Sequence, residues 1–187
     1  MHELIFLKTV KYFLEKPYEE IYLRKLAKEL QLSPFAVKKY ADLLIKEDVI
    51  KEERKANLRY FRANVNNLFF KQLKIAFNIK LILNSGLLDF LKENLANVSS
   101  IVLFGSMAKG EDDENSDVDI LIIGKEKDIN LEKFEEKIGK DITLHIFSWS
   151  EWNNQAVENK AFYSDIIIYG IPLYGELPFT HRNSTIS

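Results

Sequence analysis

The chain has 187 residues, 47% of them hydrophobic and 29% charged, which suits one large or two small well-packed domains. It has no cysteine, which excludes disulfides, thiolate zinc sites and thiol nucleophiles, and Lys71, Lys74 and Lys80 interrupt the longest apolar stretch before it could span a membrane. Residues 1–64 carry 14 basic against 10 acidic side chains and the remainder 12 against 18, so a mildly basic module precedes an acidic one.

Leu4, Phe6, Leu7, Val10, Phe13 and Leu14 recur at helical spacing and predict a first helix that stops before Pro17. Ile21-Tyr22 predicts a short strand, and Leu23 to Leu30 a second helix with Leu23, Leu26, Ala27 and Leu30 on one face. Ser33-Pro34 supplies a cap followed by proline at the first helical position, opening a third helix that runs to about Glu47. Strands over Val49–Arg54 and Arg59–Asn64 follow, joined by a turn at Lys55-Ala56-Asn57-Leu58. Helix, short strand, two helices and a hairpin, in that order, resemble the winged helix-turn-helix family. The resemblance implies DNA binding, with the third helix in the major groove and the hairpin on the backbone. Phe35, Lys38, Lys39 and Asp42 are candidates for the exposed helix face. Arg54, Lys55, Arg59 and Arg62 are candidates for phosphate contacts, which confer affinity without sequence information. The competing reading is a solvated charged surface on a protein-contact domain.

Asn66 to Asn84 predicts a long helix that is apolar nearly all round, wider than one face of a surface helix needs. Such a helix is expected to be buried between modules or against a second copy of the chain, giving a homodimer. Gly86 breaks the pattern, and Leu87 to Leu95 resumes it.

Ile101-Val102-Leu103-Phe104 reads as a buried strand ending at Gly105-Ser106, and Asp117 to Ile123 reads as its hairpin or sheet neighbour. Alternate residues of a strand share a face, so Asp117 and Asp119 point one way and Val118, Ile120 and Ile122 point into the core. A close carboxylate pair either keeps a proton or recruits a cation. Mg²⁺ suits it, because Mg²⁺ takes one or two carboxylates and fills its shell with water and phosphate oxygens. Gly105 allows close backbone approach. Ser106 is expected to open a helix as its N-cap, where N–H groups and the hydroxyl face an anion, with Lys109 one turn later adding positive charge. The alternative is an acidic surface hairpin, since Glu111-Asp112-Asp113-Glu114 makes the intervening loop rich in acid.

An apolar strand, Gly105-Ser106, a ten-residue spacer and Asp117-Val118-Asp119-Ile120 together resemble the minimal form of the nucleotidyltransferase superfamily that includes DNA polymerase beta. Ala108-Lys109-Gly110 is similar to the basic, glycine-containing segment after the family's serine, and Ile171-Pro172-Leu173-Tyr174-Gly175 to its closing strand. The resemblance implies transfer of a nucleoside monophosphate from ATP or another NTP to an acceptor, using two Mg²⁺ ions. Ser106 would hold the triphosphate, and Asp117 and Asp119 the metal. Family members contribute a third carboxylate from a later strand, within apolar neighbours. Here that strand is Asp141-Ile142-Thr143-Leu144-His145-Ile146-Phe147, whose best-flanked position is Thr143, so Asp141 is the candidate from two residues upstream. His145 shares the face of Asp141 and Thr143 and is expected to have a neutral hydrogen-bonding role, the alternative being a base or a metal ligand.

These readings make an α+β chain. A winged helix-turn-helix domain occupies 1–64, a helical connector 65–97, a small mixed-sheet nucleotidyltransferase domain 98–177 and a flexible tail 178–187. No signal layout opens the sequence, so cytoplasm is the expected location, with no membrane partner. The resemblance further implies an antitoxin-like role with a HEPN-class toxin as partner. The alternative function is a DNA-binding regulator whose transferase-like domain is degenerate and senses a nucleotide or holds a partner. His2 and His181 have no evident role.

Overall fold

Ser33 and Pro34 act as their residue types dictate: the serine hydroxyl accepts the Ala36 N–H at 3.2 Å, and the proline fills the first helical position. The computed structural model to which these atoms belong describes residues 2–180, with side chains from residue 6 onward. His181 and the rest of the expected tail beyond Thr180 lie outside the described residues, as do the side chains of His2 and Leu4. The chain divides into two units that meet between Phe77 and Asn78.

The first unit runs α1 (His2–Glu15), β1 (Ile21–Tyr22), α2 (Leu23–Glu29), α3 (Pro34–Lys46), β2 (Ile50–Lys55) and β3 (Leu58–Ala63). Its sheet has the order β1-β3-β2 and is antiparallel throughout. Phe13, Ile21, Leu26, Val37, Ala41 and Phe61 form one buried core, in keeping with the helical and alternating spacing of those residues.

Helix α4 (Leu68–Ser85) crosses the division. Phe70 belongs to the core of the first unit and Ile82 to that of the second, which accounts for apolar residues on more than one face. Leu68, Phe69 and Leu83 remain exposed. The span expected as a separate connector is thus shared between the units.

The second unit continues with α5 (Leu87–Asn94), β4 (Ala96–Phe104), α6 (Gly105–Lys109), β5 (Val118–Lys125), α7 (Glu132–Ile138), β6 (Ile142–Phe147), α8 (Trp149–Glu158), α9 (Lys160–Tyr169) and β7 (Ile171–Tyr174). Gly86, in the left-handed region at φ +82°, precedes α5. The sheet order is β6-β5-β4-β7. Strand β4 is antiparallel to β5 and β7, while β5 and β6 are parallel, joined by the crossover that contains α7.

Both faces of this sheet are covered. Val118, Ile120 and Ile122 pack with Leu87, Leu91 and Phe134 in one core. Leu121 and Ile123 pack with Trp152 and Ile166 in another. Asp119 therefore stands at the end of a strand face whose remaining positions are apolar and buried. The indole N–H of Trp152 donates to the Pro178 carbonyl at 2.6 Å, and the Thr180 N–H donates to the Tyr163 hydroxyl at 3.0 Å. The first residues of the expected tail are fastened by these bonds.

Candidate active site

The bend after β4 and the start of β5 meet at a glycine. Gly105 adopts φ +70°, and a Cβ there would collide with Oδ2 of Asp119 and lie 3.1 Å from its Cγ. Glycine is required twice over, by backbone conformation and by space. Cross-strand register gives the same juxtaposition, since Phe104 lies directly opposite Asp119. One element differs from expectation. Helix α6 begins at Gly105 with Phe104 as its N-cap and no side-chain cap, so Ser106 is the second helical residue rather than the cap. The left-handed backbone of Gly105 turns the chain straight from strand into helix.

Asp117 is exposed just ahead of β5, and Asp119 is half-buried within it. Burial raises the Asp119 pKa above the ordinary carboxylate value, the Asp117 charge raises it further, and His145 opposes both. Thr143 is the register partner of Asp119 on β6. Asp141 is exposed just before β6, and its carbonyl accepts the Val118 N–H at 2.8 Å. His145 packs against aromatic rings, with centroids 5.3 Å from Phe104 and 5.5 Å from Phe162. Among the described residues, no group of three His, Cys, Asp or Glu side chains is gathered to hold a metal. The arrangement sets the Gly105 bend against Asp119, whose carboxylate feels the charge of Asp117.

Residues 85–171 match the family model of the nucleotidyltransferase domain. The matched span contains Gly105, Ser106, Asp117, Asp119 and Asp141, while the first unit lies outside it. Two solved structures are similar. A crystal structure of a toxin-antitoxin with AMP-PNP is 21% identical with a TM-score of 0.37, over 50% of this chain and 73% of that one. A crystal structure of a MntA-HpeT toxin-antitoxin mutant is 19% identical with a TM-score of 0.36, over 50% of this chain and 72% of that one. Comparison with curated proteins finds no match.

Within the matched span, Lys109 is engaged. Its ammonium contacts Asp165 of α9 at 2.6 Å and lies 4.9 Å from the centre of the Tyr169 ring. The expected cation beside the bend is thus matched by a carboxylate that the sequence did not single out. The acidic spacer also differs from a solvated loop, because Asp112 is only 1% exposed. Asn78 and Lys140 hold this spacer, and neither was identifiable from local pattern. A buried Asn in an apolar helix was the one available signal.

In the first unit, Phe35 is 81% exposed on α3, with Lys38 and Lys39 exposed nearby. The hairpin cations divide. Arg59 donates to both Glu52 oxygens, at 2.8 and 2.6 Å, and to Asp42 at 2.6 Å. Lys55 pairs with Glu20 at 2.5 Å, and Arg54 with Glu52 at 3.4 Å. Arg62 is exposed.

Proposed function

We propose that the chain transfers a nucleoside monophosphate from an NTP, with ATP the first choice, to a hydroxyl on a protein or small molecule. The observation that carries this reading is the Gly105–Asp119 approach, which sets the bend proposed to bind triphosphate against the Asp119 carboxylate. In the reaction an acceptor hydroxyl oxygen bonds to the α-phosphorus and gives up its proton to solvent, the bond from the α-phosphorus to the oxygen bridging to the β-phosphate breaks, and pyrophosphate leaves. Gly105 keeps the backbone close to Asp119, and the Ser106 N–H and hydroxyl would hold phosphate oxygens.

The donor set fits one Mg²⁺. Asp119 is disfavoured as an unaccompanied anion by burial and by Asp117, and a divalent cation would relieve both effects. Bound Mg²⁺ would neutralise triphosphate charge and polarise the reacting phosphoryl group. Asp117 and Asp119 would hold it, and Asp141, just ahead of the adjacent parallel strand, is proposed as a further catalytic acid outside the ligand set. A second ion has less support, because Thr143 stands beside Asp119.

The first unit is proposed to bind DNA through α3 and the hairpin. The support is three helices followed by a hairpin, with Phe35, Lys38 and Lys39 exposed. The HEPN-class toxin partner rests on resemblance, and the homodimer on Leu68, Phe69 and Leu83, which α4 leaves exposed. A second reading, a DNA-binding regulator with a degenerate transferase domain, is favoured specifically by Thr143 at the register position beside Asp119.

Incubation with α-labelled ATP, Mg²⁺ and a lysate of the source cell separates the two. Label transfer that Asp117→Ala with Asp119→Ala abolishes supports the transferase. ATP binding without transfer supports the regulator.

A further inference from the structure

The ten-residue spacer between Ser106 and Asp117 has the composition of a solvated acidic loop, yet it is held by the buried Asn78 and the partly buried Lys140. Asn78, 1% exposed, donates from Nδ2 to Asp112 Oδ1 at 2.6 Å and to the Met107 carbonyl at 3.1 Å. Lys140 donates to the carbonyls of Asp113 and Ser116, the latter at 3.1 Å, and lies 3.8 Å from Asp112 Oδ2. Within the loop, the Ser116 hydroxyl accepts the Asp113 N–H and donates to the Asp113 carboxylate, both at 3.0 Å.

The Lys140 contact has a particular consequence. Ser116 and Val118 flank Asp117, and residues 140 and 141 grip both neighbours. The Lys140 ammonium takes the Ser116 carbonyl, and the Asp141 carbonyl takes the Val118 N–H at 2.8 Å. Asp117 is thereby clasped on both sides by one dipeptide.

Burying a carboxylate and an amide, with an ammonium partly buried beside them, is a poor route to stability, because desolvation offsets much of what the contacts return. Directional hydrogen bonds do fix position, which apolar packing does less sharply. We infer that Asn78 and Lys140 are positioning residues, which hold the spacer so that Asp117 stands beside Asp119 as half of a divalent-cation site. This inference rests on the proposed nucleotidyl transfer.

The test uses the full chain with Lys140→Met, Lys140→Arg and the paired Asn78→Leu with Asp112→Leu, which replaces a buried polar contact by an apolar one. Thermal unfolding, amide exchange over residues 113–118, Mn²⁺ binding by electron paramagnetic resonance and label transfer from ATP are compared. The paired variant and Lys140→Met are expected to exchange those amides at least tenfold faster and to bind Mn²⁺ at least tenfold more weakly, with turnover falling more than the KM for ATP rises. Lys140→Arg, which keeps the charge, is expected to recover part of both and carries the test where Lys140→Met unfolds. Unchanged Mn²⁺ affinity in folded variants, or losses that merely follow the unfolded fraction, would overturn the positioning role. A wild-type chain that binds no Mn²⁺ overturns the functional reading itself, whereas wild-type binding shared by every variant overturns the positioning role alone.

Discussion

The Asp119 carboxylate occupies the space in which Gly105 would otherwise carry its Cβ. Replacement by alanine must move either the bend or the acid, and the backbone at φ +70° resists any L side chain. Gly105→Ala is expected to cost about 1–3 kcal/mol of stability from left-handed strain and displacement. It should lower Mn²⁺ affinity and label transfer at least a hundredfold. Chemical denaturation and metal titration on the same preparation check both outcomes.

Asp119 binds its proton more tightly in the folded chain than an ordinary aspartate, because burial disfavours its charge by more than His145 favours it, and Asp117 adds to the effect of burial. A raised native pKa means that stability falls as pH rises from the unfolded value through the native one, and the penalty is complete above it. Asp119→Asn is therefore expected to unfold at a higher temperature than wild type at neutral pH. The difference should shrink as pH falls below the native pKa. Millimolar Mg²⁺ should stabilise wild type but not the variant. Thermal unfolding across pH 3.5–7.5, with and without Mg²⁺, measures all three.

Arg59 and Arg62 are both hairpin cations, but they face different demands. Arg59→Ala removes the bonds to Glu52 and Asp42 and is expected to cost about 1–3 kcal/mol of stability, since a partly buried Glu52 loses its main partner. Arg62→Ala and Lys38→Ala should leave stability within about 0.5 kcal/mol, as exposed substitutions do. Each should weaken DNA binding and reduce the salt slope by roughly 1. Denaturant curves and binding isotherms between 50 and about 200 mM salt distinguish the two arginines.

Lys109 and Asp165 form a partly exposed pair, with side chains 28% and 34% accessible. Such pairs contribute about 1 kcal/mol or less, so Asp165→Asn is expected to unfold nearly as wild type does. Releasing Lys109 should tighten ATP binding two- to fivefold by adding an unmatched cation near the bend. Calorimetry of ATP binding to wild type, Asp165→Asn and Asp165→Asn with Lys109→Ala checks this. The gain should vanish in the double variant.

Local order was legible in the residues. Ser33-Pro34 opens α3, the aliphatic run ends at Gly105, and the alternation after Asp117 makes β5 with Val118, Ile120 and Ile122 on one buried face. These follow from dihedral preferences and from periods of 3.6 and 2, which act over a few residues. Tertiary structure alone decided the rest. It covered the second sheet face with Trp152 and Ile166, set Thr143 beside Asp119, matched Lys109 with Asp165, and buried Asp112 against Asn78. Those partners are far apart in the chain, and a buried charge finds its match through packing and burial rather than through any spacing along the sequence.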